Sequence, residues 1–487
     1  MLKTHLTELL SLNYENHLLL IDYEKINRKI NYKTWLLEAG FEIFLYEDKL
    51  DFRVIFEDYI KYKQGKIAVI VDDDIFIPYD IRQTFYQVEI NWLDIYPRLD
   101  SECLKRNAYI SYELLYIASQ DYTGPKLNLD QSTEFISKIS KEKNYVLRLI
   151  SVLDDQIKSI LNKGQTNYRH WFKIAQLYSE IQHLSAVNDL NYDNTVMNNA
   201  FMKYIQLEFG KLPTVLDRDG PIINTQVIDF ILKDSNKVAF LVMDGMSIQD
   251  YYVIRDGLCD LEIEENFIFS MIPTTTSISR QSLISGKFPI EISNLFSLKD
   301  EKKLFKQAAT RNNYKENQIE FSNDIDFEAN ENTHLLLMIL NNIDNMIHSQ
   351  TQGKKGLVSD LEIFSESGAL RLLIKRLLYQ GFEVYMSSDH GNTQAYGLGK
   401  LIGTGVEVET RSSRMLILKN IVSESGIVSK YELTKYPGYF LDKNFNYYLS
   451  KYGESMDIKG STMLCHGGSS IEEVIVPFVR IKERRNG

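Results

Sequence analysis

Residues 238–247 read VAFLVMDGMS: six apolar residues in a row, then an aspartate and a glycine. An apolar run of this length, closed by a turn signal, is the pattern of a strand buried on both faces in a parallel sheet covered by helices. Asp244 then falls at the carboxyl end of the strand, where loops converge over ligand sites in open α/β sheets. Working outward, HLLLMILNNID (334–344), FEVYMSSDHG (382–391), RMLILK (414–419) and EEVIVPFV (472–479) repeat the strand signal. GALRLLIKRLLYQG (368–381) is an amphipathic helix leading into one of them. From about residue 233 onward the chain therefore reads as α/β.

The first part has a similar rhythm on a smaller scale. HLLLIDYEK (17–25), FEIFLYED (41–48) and KIAVIVDDD (66–74) read as strands, and NYKTWLLEAG as a helix closed by Gly40. That βαβ order predicts a small parallel sheet. Between about 99 and 215 the period becomes helical, as in EFISKISKEKNYVLRLISVLDDQIKSIL and HWFKIAQLYSEIQHL, with little glycine or proline. GKLPTVLDRDGPIINT (210–225) carries linker chemistry. The expected organisation is a small α/β domain at 1–98, a helical bridging domain and linker at 99–232, and a larger α/β domain at 233–487.

A chain of 487 residues exceeds one ordinary core, in keeping with two or three domains. Its net charge of −11 argues against a broad basic face for duplex DNA or an anionic membrane. A small nucleotide in a metal-lined pocket stays compatible, because bound cations set the local field there. Three cysteines, Cys103, Cys259 and Cys465, lack CxxC or disulfide-like spacing, as expected in a reducing cytoplasm. The opening MLKTHLTELLSLNYENHLLL has no basic start, apolar core or cleavage site, so no signal peptide is expected, and no apolar run approaches membrane-spanning length.

Chemistry gathers in the last half. Asp244, Asp344 and Asp389 each follow an apolar run, and His334, His348, His390 and His466 lie in the same region. Asp344 and His348 are four apart, so one helical turn places both on one face, where they can chelate one ion. Asp389-His390 sits in a turn with Gly391, and His466 precedes two glycines that allow close backbone approach. Imidazole with carboxylate suits zinc, and a carboxylate-rich partner site also accepts manganese or magnesium. Each piece alone is compatible with a cap, a turn or a core histidine; their joint placement at strand ends is the less ordinary pattern. MIPTTTSISRQSLISGKFP (271–289) adds three threonines before a helix closed by Gly286, readable as a strand end or as a placed hydroxyl.

VAFLVMDGMS, PTTTSISRQSLISGKFP, NNIDNMIHS, SSDHGN and HGGSSIEEVIVP occur in the order of a PglZ domain, which the chain resembles over roughly 233–483, about half its length. PglZ belongs to the alkaline phosphatase superfamily of two-metal phosphohydrolases. The resemblance implies an α/β fold for the C-terminal domain, a mostly parallel sheet sandwiched by helices; the small α/β and helical domains that precede it rest on periodicity. It implies one metal site from Asp344, His348 and His466, and a second from Asp244, Asp389 and His390, completed by a threonine hydroxyl. The diesterase branch of the superfamily carries a P-T-x-T nucleophile loop, which laid on this sequence makes Thr276 the attacking residue; Thr275 is the choice one register off.

The implied reaction is attack of Thr276 on phosphorus, departure of an alcohol or nucleoside, and hydrolysis of the phosphothreonine. A helix starting near Ser277 would aim its N-terminal amides at the phosphate. Arg280, one turn further on, would steady the phosphate or a neighbouring carboxylate. Two divalent ions are implied, zinc first, with manganese or magnesium as alternatives. The expected activity is a cytoplasmic phosphodiesterase on nucleotide or oligonucleotide substrates, and the family implies an anti-phage role of the BREX type with defence-system protein partners. A phosphomonoesterase, a mutase, or a metal-stabilised scaffold without activity are the alternatives, while a sulfatase would need a cysteine or serine at the nucleophile, where PTTTSIS offers threonine. Elsewhere, Gly245 serves a turn with close backbone approach. Asp72-Asp73-Asp74 is read as turn and cap rather than a magnesium pocket. The thirty tyrosines are read as packing and surface, and Cys465 as packing beside His466.

Overall fold

The computed structural model describes residues 1–106, 111–139, 141–164, 166–217, 220–233, 235–400, 413–419 and 425–483. Ser140 of the helical pattern and Arg218 and Asp219 of the linker stretch lie outside the described residues. The chain divides into two units, Met1–Val152 and Leu153–Arg485.

In the first unit, strands β1 (His17–Ile21), β2 (Phe41–Leu45), β3 (Lys66–Val71) and β4 (Tyr86–Glu89) form a sheet in the order β2-β3-β1-β4. Every pair is parallel. Successive residues of a strand face opposite sides, and both sides of this sheet are covered. Leu18 and Leu20 join a core with Leu36, Trp92, Leu115 and Ile136, while Leu19 joins Phe52, Phe56, Val69 and Val71 on the other face. The short strand Tyr86–Glu89 is mostly exposed, so YQVE carries no strong apolar signal in sequence. Asp22, directly after β1, is fully buried: it accepts bonds from the backbone N–H of Ile26 and Asn27 at 2.8 Å each, and from the Tyr32 hydroxyl at 2.9 Å.

The second unit holds β5 (Val238–Met243), β6 (Leu261–Phe269), β7 (Ile319–Ser322), β8 (Leu335–Leu340), β9 (Glu383–Ser387), and, after smaller strands, β16 (Ile475–Glu483). They form one six-stranded sheet in the order β6-β16-β9-β5-β8-β7. The β9-β5-β8-β7 part is parallel, and β16 runs antiparallel to both of its neighbours. The apolar run at 238–243 is buried at every position, as expected of a central strand. Ala239, Leu241 and Met243 pack under helices Ile248–Asp256, Gly353–Glu366 and Ala369–Tyr379. Val238, Phe240 and Val242 pack under Val227–Leu232, Thr276–Ser285 and Glu301–Arg311. The architecture is thus a mostly parallel sheet sandwiched by helices, the α/β class the sequence implies.

Two of the strand readings land differently. RMLILK forms a strand, Met415–Lys419, but in a separate antiparallel sheet with Thr434–Tyr436 and Phe445–Leu449. EEVIVPFV opens with a helical turn, Ile471–Val474, before β16 begins. Here Ser470 and Glu473 cap the turn reciprocally, and a local cap overrides the strand propensity of the following residues. The third sheet of this unit, Thr393–Gly397 between Glu454–Ser455 and Thr462–Cys465, carries His466 just past its last strand. Among the described residues no helix is long and apolar enough to cross a membrane.

Candidate active site

β9, β5 and β8 are adjacent and parallel, so their carboxyl ends open on one edge. Asp244 follows β5, Asp389 and His390 follow β9, and Asp344 and His348 lie on the helix Asn342–Ser349 that starts just after β8. Two compact sets of ligand atoms result: Asp244, Asp389 and His390, all buried, and Asp344, His348 and His466, with His348 exposed; within each set the atoms lie within 4.8 Å of one another. His334 is not part of either set; its Nδ1 meets the Asn236 carbonyl at 3.0 Å.

In the buried set, His390 Nε2 lies 3.8 Å from Asp244 Oδ1 and 3.7 Å from Asp389 Oδ2. In the other, Asp344 Oδ1 lies 3.3 Å from His348 Nε2 and 4.0 Å from His466 Nε2. Ligands about 2.0–2.2 Å from a tetrahedral ion lie roughly 3.3–3.6 Å apart, so both sets are near that spacing. The carboxylates are each half-anchored. Asp389 Oδ1 accepts from the backbone N–H of Gly245 (3.2 Å) and His390 (3.0 Å), and Asp244 Oδ2 from Arg280 Nη1 (2.6 Å). Their other oxygens, Asp389 Oδ2 and Asp244 Oδ1, are buried without a hydrogen-bond donor. Buried carboxylate oxygens left bare are costly, and a divalent cation is the partner that this donor set fits.

The protonation states agree with that reading. Burial, reinforced by the neighbouring Asp244 charge, pushes the Asp389 carboxyl well above its ordinary range, with Arg280 opposing. Burial pushes the His390 imidazole down and the His466 imidazole down to about 4, so both rings are neutral at neutral pH, the form that binds metals. Burial works upward on Asp344, but His348, followed by His466 and His390, outweighs it and holds that carboxyl below its usual value. The Nδ1–H of His390 donates to the Gly391 carbonyl at 3.0 Å and that of His466 to the Thr274 carbonyl at 3.1 Å. Both rings therefore present a bare Nε2 to the site. Their planes stack face to face, with centroids 4.2 Å apart and 13° between planes.

The three threonines have different duties. Thr274 is buried; its hydroxyl donates to the Gly468 carbonyl and accepts from the Gly467 N–H, both at 3.0 Å. Thr275 is the N-cap of the helix Thr276–Ser285, and its hydroxyl is buried without a partner. Thr276, partly exposed, has its Oγ1 3.0 Å from His390 Nε2. Two glycines permit this crowding. A Cβ on Gly391 would lie 1.9 Å from the Glu472 carbonyl, and Gly245, at φ +77°, faces Ile347 and Asp344.

Arg280, 5% exposed, is bound by two carboxylates: Asp244 at 2.6 Å and Glu301 Oε1 at 2.7 Å. Of the duties expected for it, the structure places its guanidinium on the carboxylate. Burial favours its neutral form, yet Asp244, Asp389 and Glu301 outweigh that and hold it more firmly protonated. Glu301 is a site-supporting residue that the sequence reading missed, since DEKKLFKQ reads as the charged start of a surface helix. Glu473 is another: it accepts from the Gly468 N–H at 2.8 Å, pairs with buried Arg414 at 3.1 Å, and so holds the loop after His466. Its signal was present as the S-x-x-E capping box at Ser470–Glu473. Asp73 in the first unit pairs with Lys25 at 2.8 Å. Cys465 is buried, and burial pushes its thiol up to about 12.

The sheet, the strand-end ligands and the threonine loop define an alkaline-phosphatase-like hydrolase domain, whose superfamily is metal-dependent. Residues 222–481, more than half of the chain, match the BREX system PglZ alkaline phosphatase-like domain, and the chain belongs to this family. Among solved structures it is similar to murine ectonucleotide pyrophosphatase/phosphodiesterase 5, at 13% identity over 50% of this chain and 87% of that one, with a TM-score of 0.35. The human protein of the same name gives 12% identity over 50% and 87%, with a TM-score of 0.35. Phosphonoacetate hydrolase from Sinorhizobium meliloti 1021, in complex with phosphonoformate, gives 10% identity over 50% and 89%, with a TM-score of 0.35. No curated protein matches the chain by sequence.

Proposed function

We propose that this PglZ chain is a phosphodiesterase acting on nucleotide or oligonucleotide substrates, with Thr276 as nucleophile. The observation that carries the reading is the position of Thr276. Its hydroxyl lies 3.0 Å from His390 Nε2 of the buried ligand set, whereas that of Thr274 is committed to the Gly467–Gly468 backbone. Asp244, Asp389, His390 and Thr276 would hold one divalent ion, and Asp344, His348 and His466 a second. When bound, such ions, zinc first and manganese or magnesium as alternatives, supply the positive charge that favours the threonine alkoxide and offsets phosphoryl charge. Thr276 Oγ1 forms the bond to phosphorus as the bond to the leaving oxygen breaks, and water later hydrolyses the phosphothreonine. The helix beginning at Thr276 presents its first-turn amides to the phosphoryl oxygens. Arg280, paired with Asp244 at 2.6 Å, orients that carboxylate rather than touching the substrate. Cytoplasmic placement and a role in BREX-type defence, with protein partners, complete the reading and rest on family membership.

The test is hydrolysis of bis(p-nitrophenyl) phosphate against p-nitrophenyl phosphate, with zinc or manganese and with chelator. Faster diester turnover, lost with chelator and reduced to background in Thr276→Ala without loss of bound metal, is expected. Faster monoester turnover sinks the diesterase assignment, and full activity in Thr276→Ala with loss in Thr275→Ala moves the nucleophile by one residue.

A further inference from the structure

The motif SSDHGN (387–392) holds two proposed ligands, Asp389 and His390, and closes on an asparagine. Asn392 is completely buried, in the turn between β9 and the strand Thr393–Gly397. A buried primary amide brings two N–H donors and a carbonyl acceptor that need partners, and here donors and acceptor are all matched. Nδ2 donates to the Gly245 carbonyl at 2.9 Å and to Asp250 Oδ2 at 2.6 Å, and Oδ1 accepts from Lys354 Nζ at 2.6 Å.

The Gly245 end of this clasp bears on the ligand set. Gly245 follows Asp244, sits at φ +77°, and donates its N–H to Asp389 Oδ1 at 3.2 Å. That bond occupies one oxygen of Asp389, while Oδ2 stays bare, 3.7 Å from His390 Nε2. A glycine has the freest backbone of any residue, so it aims an N–H well only when its surroundings fix it. Here the N–H is held by Asp389 and the carbonyl by Asn392, from the same loop. The Asp250 end fixes the chain a few residues further on. Asp250 Oδ2 also accepts from the N–H and hydroxyl of Ser247, at 2.9 and 2.6 Å, in the cap of the helix Ile248–Asp256. Asn392 thus ties the loop of Asp389 and His390 to the loop of Asp244.

The other end of the clasp reaches toward the surface. Lys354 is half-buried in the first turn of the helix Gly353–Glu366, and its backbone N–H is held by Gln394 Oε1 at 3.2 Å. An ammonium only donates, so it selects Oδ1 of the amide and turns Nδ2 toward the acceptors on Gly245 and Asp250. A carboxylate at position 392 would keep the lysine but face Asp250 with no donor and a like charge.

We infer that Asn392 is a positioning residue for the buried ligand set, oriented by Lys354: it fixes Gly245 so that Asp389 is anchored through Oδ1 and offers Oδ2. The inference rests on the reading that Asp244, Asp389, His390 and Thr276 hold an ion, and it assigns Asn392 no contact with ion or substrate.

The experiment reads metal affinity first. In the full chain carrying His348→Ala, which removes a ligand of the other set, zinc at the remaining set is titrated against a chromogenic chelator. Asn392→Asp, close in shape but without either donor, should weaken that zinc by about 10–100-fold, as for other groups that orient a metal ligand. Lys354→Met should weaken it less, and Lys354→Arg, which keeps a donor, should restore most of the affinity. With His348 intact and zinc saturating, kcat on bis(p-nitrophenyl) phosphate should fall in Asn392→Asp while KM holds. Urea midpoints of the metal-free variants separate this from a role in folding alone: a lower midpoint with unchanged zinc affinity overturns the inference. If Asn392→Asp does not fold, Lys354→Met decides, and unchanged affinity there overturns it too. A chain that takes up no zinc before any substitution overturns the two-ion reading and this inference together, whereas zinc bound equally well by parent and Asn392→Asp overturns the positioning role alone.

Discussion

Both units place an aspartate within two residues of the end of a buried parallel strand, and the two sites behave in opposite ways. Asp22, after β1, is buried and spends both oxygens on two backbone N–H groups and a tyrosine hydroxyl. Asp389, after β9, is equally buried but spends only one. Burial lifts the pKa of both; at Asp22 three donors pull it back, while at Asp389 the charge of Asp244 lifts it further. The first carboxylate is a cap that completes a local fold. The second keeps one oxygen bare, as the proposed role of a cation ligand requires. A strand-end aspartate in sequence does not separate these cases, whereas the count of bare oxygens does.

The comparison breaks most visibly under substitution of the two aspartates. Asp389→Asn should lower turnover by at least about 100-fold, beyond the 10–100-fold typical of residues that only support a ligand. The same change should raise the urea midpoint of the metal-free second unit by the equivalent of about 1 kcal/mol or more, since it removes the cost of keeping a buried carboxyl protonated beside the Asp244 carboxylate. Asp22→Asn should do the reverse, costing about 1–3 kcal/mol in the first unit with turnover and bound metal unchanged. Equal signs for the two stability changes would erase the distinction.

The pH dependence sharpens the same contrast. Because the Asp389 pKa is raised in the fold, the native carboxyl keeps a proton that the unfolded chain releases above about 4. Its contribution to stability is thus present in acid and is lost as pH rises. The gain from Asp389→Asn in the metal-free protein should therefore grow from pH 4 upward, and added zinc should cancel it by stabilising the parent. Denaturation midpoints at three pH values, with and without metal, measure this. A smaller effect is expected around Arg280: Arg280→Lys keeps the charge but loses the fork between Asp244 and Glu301. It should lower kcat and metal affinity together by about 10–100-fold, and Glu301→Gln should lower them less. Loss expressed in KM alone, with metal retained, would instead put the guanidinium on the substrate.

Much of the second unit was legible in sequence because its information is local. The central strands are uninterrupted apolar runs, and the chemistry-bearing residues sit within a few positions of their ends. Asp344 and His348 announced themselves by helical spacing, and the structure sets them 3.3 Å apart. What escaped notice depends on distance along the chain. Glu301 reaches Arg280 across twenty-one residues, and Arg414 meets Glu473 across fifty-nine; each reads locally as a surface charge. The strand Leu261–Phe269 was hidden because LEIEENFIF pairs at the sheet edge, and its charged first half carries no continuous apolar signal. The separation among three adjacent threonines is likewise tertiary. A loop from 194 residues away takes up the hydroxyl of Thr274, while that of Thr276 is left facing the site.

The stacked rings of His390 and His466 carry a consequence for loading. One imidazole belongs to each ligand set, and with 4.2 Å between centroids neither ring can turn without displacing the other. The two sets share this wall, and each ring is also tethered through Nδ1 to a backbone carbonyl, one of them in the threonine loop itself. If each set takes an ion as proposed, occupancy on one side would fix an orientation that the other side inherits. Metal uptake followed ion by ion should accordingly be non-independent, and a protein stripped at one position should surrender the second ion more readily than its own ligands alone would dictate.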